Sequence, residues 1–416
     1  MRTRVRSEWS WWAAALIGVA MMSWLTLQGF AWSDYDHEAS AAFASLIAGD
    51  VRGFLAQVPA YGGSMVLRAP VAGAVAWLGG GELAVYRAVS IPGLLAVAAL
   101  GVLLVRRLAR RGRSTGVRTL VLALCVVNPI TIRALELGHP EELLCAAFCI
   151  GAVLAAIDGR TVLAAVLLGL AIASKQWAVL AIGPVLLALP ERRIRALAIA
   201  GAVTAVVLAP ILLAAPTGTT MLVKGASTTG HIFVPWQAFW FLGESGHVVI
   251  GGDGLPKPDG YRVPPAWLSP LTHPLIALLV IPLSLAWARV HRAVPRFGGE
   301  QILLLLALLL LLRCVLDPWN VIYYELPFLL ALLTWESLCR PERPPVLALT
   351  TTALVWVTFQ RAPEVLSPDM QAVFFLAWSL PMVAWLARQA FTPPASLARR
   401  TRPTRPALPA REIGAQ

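Results

Sequence analysis

The sequence predicts an all-α, polytopic membrane protein, on three observations. Of its 416 residues 58% are hydrophobic and only 13% charged, against about 25% charged in a soluble domain. The apolar runs are long and lack the two-residue alternation of a membrane barrel. The formal net charge of +12 comes mainly from arginines in short loops between those runs, as the positive-inside rule predicts. The last point assigns the basic balance to topology and excludes nucleic acid as its cause. The five cysteines lie in or beside apolar runs without CxxC or Cys/His spacing, which supports neither a zinc site nor a disulfide framework.

A span needs about 20 apolar residues. Candidate spans fall at 10–31, 88–107, 118–135, 142–157, 161–174, 176–190, 196–215, 268–288, 301–316, 323–339, 345–360 and 370–389. The first is read as a retained helix, because no small-x-small cleavage site precedes Ser33. With the N-terminus inside, most of the 34 Lys and Arg fall in inside segments. That bias supports about twelve spans, N-in and C-in, and requires 161–190 to be split in two.

Two long outer loops result, 32–87 and 216–267, and long loops with structure of their own are commonly functional. The first holds a helical stretch near 36–48 and an apolar, glycine-rich segment, 64–79, read as lying along the membrane surface. Residues 1–389 form one transmembrane domain. The Pro- and Arg-rich 390–416 is expected to be a disordered basic tail on the inside.

Polar residues cluster at the outer ends. Asp34, Asp36 and Glu38, with His37, follow the first span directly; carboxylates there can act as general bases or bind sugar hydroxyls. Gly138-His139-Pro140-Glu141-Glu142 forms a tight turn, whose acidic residues also suit a helix start. Lys175 ends one apolar run, Arg133 lies near the outer end of another and Arg313 lies within a third. Cations at such depth face a cavity or a partner, and Glu136 or Asp317 would serve as ion-pair partners. The second outer loop carries Lys224, His231, Trp236, Gln237 and Trp240, a set able to contact sugar or lipid. Tyr323, Tyr324 and Glu325 follow Asp317-Pro318-Trp319-Asn320. No P-loop, Rossmann fingerprint, GxSxG or HExxH occurs, and no metal or other cofactor is indicated.

The order of short motifs carries a family resemblance. Asp34 after the first helix, then Ala42, Leu46, Gly49 and Asp50, is similar to the first loop of the GT-C superfamily of membrane glycosyltransferases. Pro59, Tyr61, Arg68-Ala69-Pro70 and Tyr86-Arg87-Ala88 continue the pattern. Asn128-Pro129, the Gly138–Glu142 turn and Leu168-Gly169-Leu170-Ala171 with Lys175 resemble the family's middle elements. Tyr323 or Tyr324 with Pro327 matches its Tyr-Pro pattern, and Arg313 is the candidate for the usual Arg or His partner. The closest branch is glycosyltransferase family 87, the actinobacterial mannosyl- and arabinosyltransferase-like proteins, over about residues 10–340.

The resemblance implies transfer of mannose or arabinofuranose from a polyprenyl-phosphate sugar to a cell-envelope glycan or glycolipid, on the outer face of the plasma membrane. A first-loop aspartate, Asp34 or Asp36, would be the base. Glu38, Arg133, His139, Glu141, Glu142, Lys175, Lys224, Trp236, Arg313, Tyr323 and Tyr324 would bind substrate. The alternative is a transporter or flippase for a lipid-linked sugar. A transport site would sit near the midplane on broken helices, whereas these residues map to the outer face. The Gly-, Arg- and Ala-rich composition fits a high-GC actinobacterium.

Overall fold

A computed structural model describes residues 2–26, 34–59, 61–214, 232–250, 256–292, 299–340 and 342–392. Among these the chain is mainly helical, with two small antiparallel β pairs. The helices are α1 (Arg2–Thr26), α2 (Asp34–Glu38), α3 (Ser40–Ile47), α4 (Val51–Gln57), α5 (Gly62–Trp77), α6 (Glu82–Arg110), α7 (Thr115–Val126), α8 (Pro129–Glu136), α9 (Pro140–Ile157), α10 (Thr161–Ser174), α11 (Ile182–Ala188) and α12 (Arg193–Ala214). After the second long loop come α13 (Ser269–Leu278), α14 (Val280–Val290), α15 (Ile302–Leu316), α16 (Leu326–Cys339), α17 (Val346–Trp356), α18 (Ala362–Val365) and α19 (Pro368–Phe391). Strand β1 (Glu244–Ser245) pairs with β4 (Arg262–Val263), and β2 (Val248–Ile250) with β3 (Pro256–Pro258). These pairs lie in the second loop, as does a 3₁₀ turn, Trp240–Leu242. Lys224, His231 and the tail from 393 lie outside the described residues, as do Trp32 and Ser33.

Seven described helices are long and apolar enough to cross a membrane, and three further apolar helices are shorter. Their surfaces sort them into layers. Every residue of α15 from Ile302 to Leu311 is buried, as befits a helix apolar all round. It packs on α16, which with α6 packs on α9, and α9 also meets α10. At the periphery α12, α13–α14 and α19 keep Ile194, Val206, Leu213, Leu278, Ile281 and Val373 exposed. In water such faces would forgo roughly 25 cal/mol for each Å² of apolar surface left uncovered, whereas lipid tails cover them.

The helix breaks have local causes. Asn128 caps α8, its side chain accepting from the Ile130 amide at 2.8 Å, with Pro129 in the first turn. Pro has no amide to leave unpaired there. Lys175 ends α10 in extended backbone, φ −151° and ψ 136°, before a 3₁₀ turn, Gln176–Ala181. Residues 161–190 are thus two helical segments. Helix α6 starts at Glu82, six residues before the hydropathic span at 88, because Glu82, Tyr86 and Arg87 lower the hydropathy of a turn that is nonetheless helical. Helix α5 packs on α6, α10 and α12 as well as α3, and buries Arg68.

Helices α6 and α9 and helices α10 and α15 run in opposite directions between two chemically distinct ends. At one end stand ion pairs and caps made by arginine: Arg107 with Asp158 at 2.6 Å, Arg111 with Glu300 and with the Leu338 carbonyl. At the other end α2, the α8–α9 turn, Lys175 and the α15–α16 connection converge. The 18 residues of α9 rise about 27 Å, close to the roughly 30 Å hydrocarbon thickness of a bilayer.

Candidate active site

The site is built around His139. Gly138 precedes it with φ +87°, and a Cβ there would lie 2.6 Å from the Cβ of Tyr35. Only glycine combines that backbone with that contact. The turn therefore seats directly on α2. Tyr35 is buried and meets Tyr86 edge-on, ring centroids 4.6 Å apart. Tyr86 in turn donates to the Leu135 carbonyl of α8 at 2.6 Å. These contacts hold Asp34 beside the turn.

Both ring nitrogens of His139 are engaged. Nε2 lies 2.8 Å from Asp34 Oδ2, and Nδ1 lies 2.7 Å from Glu141 Oε1. The Tyr323 ring stacks on the imidazole, centroids 4.1 Å apart, and its hydroxyl donates to the same Asp34 Oδ2 at 3.3 Å. Burial opposes charge on the His139 ring, but the Glu141 charge and the bonds to Asp34 and Glu141 outweigh it and raise its pKa to about 9. Burial also works against ionised Asp34, yet the hydrogen bond and charge of His139 hold its carboxyl below the usual range. A doubly bonded imidazolium between two carboxylates is the state these shifts describe. Two donors fix one oxygen of Asp34, while 45% of the side chain stays exposed.

Behind this surface lies a buried charge network. Glu141 and Glu142 start α9, where the helix dipole favours anions, and both are fully buried. Lys175 Nζ lies 3.3 Å from a carboxylate oxygen of each and 4.4 Å from the centre of the Tyr61 ring. Arg68 reaches Glu141 at 3.4 Å, and Arg313 reaches Glu142 at 3.6 Å. Trp177 donates to Glu142 at 3.1 Å. Arg313 also sits over the rings of Tyr324 and Trp177, 4.2 and 4.9 Å from their centres. Buried charges persist only when paired in this way. The close approach that places Lys175 depends on Gly63, where a Cβ would fall 2.1 Å from the Ala173 carbonyl oxygen.

The structure thus brings together Asp34, His139, Glu141, Glu142, Lys175, Arg313, Tyr323 and Tyr324. Glu38 joins at the edge, accepting from the Tyr61 hydroxyl at 2.6 Å. Asp36, two residues from Asp34, is not a partner of His139. Arg133 pairs with Glu136 on its own helix, one of the pairings expected of it. Trp236 packs on Phe359, centroids 4.8 Å apart, and its carbonyl accepts from Asn320 at 2.9 Å. Arg68, Tyr61 and Trp177 are members that the sequence reading assigned no role. Arg68 is the lone cation of the apolar segment 62–77, and the rule that singles out Arg133 and Arg313 applies equally to it. Among the described residues no group of three or more His, Cys, Asp or Glu side chains is arranged to hold a metal ion.

The fold and the site fit a polytopic membrane protein with a carboxylate–imidazole pair at the mouth of a buried cation cluster. Residues 20–191 match the MptA_B family, described as alpha-(1->6)-mannopyranosyltransferase, N-terminal domain. The match bears out the resemblance to membrane mannosyltransferases and supports a glycosyltransferase of mannosyl type. No curated protein and no solved structure matches the chain.

Proposed function

We propose that the protein transfers a mannosyl unit from a polyprenyl-phosphate donor to a hydroxyl of a cell-envelope glycan or glycolipid, in the GT-C manner and with Asp34 as general base. The observation that carries this reading is the clamp on Asp34. One carboxylate oxygen is fixed by His139 and Tyr323 while much of the side chain stays open. The acceptor oxygen attacks the anomeric carbon as its proton passes to Asp34. The bond from that carbon to the phosphate oxygen breaks, and its electron pair leaves with the lipid phosphate. Lys175 and Arg313 face the developing negative charge, which fixed cations stabilise most in a dry site. A single displacement inverts the anomeric centre, so an α-linked product requires a β-linked donor.

The same reading places the helices as about twelve spans, counting the shorter apolar helices. It puts both termini inside and the Asp34 end on the outer face of the plasma membrane. Arginine at the opposite end supports that orientation by the positive-inside rule. The polar site at a helix-bundle end, rather than at mid-depth, favours chemistry over transport.

The test is transfer by wild type and Asp34→Asn in nanodiscs, with radiolabelled polyprenyl-phosphate mannose and membrane-extracted acceptors. Transfer by wild type alone is expected. Equal transfer by both proteins would remove Asp34 as the base.

A further inference from the structure

Away from the charge network, the β1–β4 pair with its flanking residues, Trp240 and the start of α19 line an open cavity of about 260 Å³. Its wall includes Trp240, Ser245, His247, Tyr261, Arg262 and Asp369. We infer that this cavity is a second carbohydrate subsite, which binds a neutral sugar unit of the acceptor glycan remote from the hydroxyl that reacts. The inference rests on the transferase reading and deepens it.

Size restricts the ligand first. The volume lies below the roughly 300–1,000 Å³ of drug-sized sites, which suits one sugar ring rather than a lipid chain or a nucleotide. Charge restricts it next. Arg262 Nη2 bonds Asp369 Oδ1 at 2.9 Å, and its guanidinium lies between Trp240 and Phe241, 5.0 and 5.7 Å from their ring centres. Its Nη1 donates to the Gly243 carbonyl at 3.0 Å. The one strong cation of the wall is paired with Asp369 and bonded to Gly243, so its charge is balanced within the wall, which favours a neutral ligand over an anion.

Hydrogen-bonding groups remain and are pre-oriented. Trp240 Nε1 donates to Asp369 Oδ1 at 2.8 Å. Both bonds to this carboxylate fall on one oxygen, and the side chain is 55% exposed. His247 Nδ1 is held 2.6 Å from Asp259 Oδ2, and Asp259 Oδ1 accepts from the Tyr261 amide at 2.9 Å. That fixes the orientation of the imidazole in the wall. A carboxylate, an imidazole and hydroxyls beside an aromatic wall are the donors and acceptors that a polyol needs.

The cavity is also tied to the Asp34 end. The Tyr261 ring meets Trp319 edge-on at 6.4 Å. Residues 234–238 bond to the same region: Val234 N to the Pro318 carbonyl of the α15–α16 connection at 3.2 Å, and Ala238 N to the Val315 carbonyl in the last turn of α15 at 2.7 Å. That connection leads directly to Tyr323, which touches Asp34. An extended glycan could thus rest one unit in the cavity with its end toward the base.

The test measures binding of α-1,6-linked mannotetraose to the full-length protein in nanodiscs, without donor and therefore without turnover. Wild type should bind, and inorganic phosphate should not compete. His247→Ala, Tyr261→Ala and Asp369→Asn should each weaken binding about tenfold, the loss expected for one or two hydrogen bonds, with unfolding midpoints close to wild type. Should Asp369→Asn fail to fold, the other two variants carry the test. Absence of binding to wild type, or unchanged binding in folded His247 and Tyr261 variants, would overturn the subsite. Binding that these variants weaken would uphold the subsite even in a protein that transferred no mannose, which would overturn only the transferase reading.

Discussion

His139 Nε2 and Asp34 Oδ2 stand 2.8 Å apart across 105 residues of sequence, and the same imidazole holds Glu141 on its other side. The pair joins the first outer loop to the head of α9. It makes the protonation of one ring a determinant of where the carboxylate points.

Replacing Asp34 by Asn should lower transfer by about 10²–10⁴-fold, the usual worth of a positioned base. The protein should still fold, since Asn keeps the shape and Asp34 is half exposed, with the unfolding midpoint lowered only by the loss of the charge beside His139. Asp36→Asn, which removes no partner of His139, should cost less than about tenfold on the same scale. Reversal of that order would make Asp36 the base.

The pH dependence follows from the two shifts. The His139 pKa is raised to about 9, so its contribution to stability is complete below the ordinary value near 6.5 and is lost as pH rises through about 9. The Asp34 carboxyl is lowered, so its contribution is present above its ordinary value and is lost as pH falls through the lowered one. Transfer should therefore decline on an alkaline limb near pH 9, read from kcat/KM against pH. His139→Gln should lower transfer and abolish that limb. A limb that persisted in the variant would assign it to another group.

Arg68→Ala should destabilise the protein by about 1–3 kcal/mol, because it takes one of three cationic partners from the buried Glu141. Arg68→Ala with Glu141→Gln should cost less than the sum of the single changes. Thermal or denaturant unfolding in detergent measures both. Strict additivity would mean that the 3.4 Å contact carries no coupling.

Gly138→Ala should abolish transfer, since a methyl group 2.6 Å from the Tyr35 Cβ must displace α2 and Asp34 with it. Gly112→Ala is the control. It has φ +72° with nothing within 4 Å, and should cost only the roughly 1–2 kcal/mol of a left-handed backbone. Equal activity in the two variants would show that α2 tolerates the shift.

Much of the bundle is legible from hydropathy. The break at Lys175, the turn at Asn128-Pro129 and the start of α9 at Pro140 follow from charge, from a capping residue and from proline at a first turn. The early start of α6 is hidden because Tyr86 and Arg87 read as interfacial residues, although Tyr86 is buried under α2. The candidate site is half legible. Asp34, His139 and Glu141 announce themselves as polar residues at helix ends. Their mutual contacts depend on which turns meet in space, which no local pattern encodes. Arg68 was missed for a related reason: its segment looks too short and too rich in glycine to enter the bundle, yet those glycines let α5 approach α10.

The family match ends at residue 191, but the site does not. Asp34, His139 and both buried glutamates come from the matched part, whereas Arg313 and Tyr323, which close on them, come from beyond it. The proposed catalytic centre is therefore a seam between two halves of the chain rather than the property of one. The first half expressed alone would leave Glu142 without its arginine and the imidazole without its stacking ring. On the transferase reading proposed above, variation in the second half would retune substrate choice while the Asp34–His139 pair of the first stays as it is.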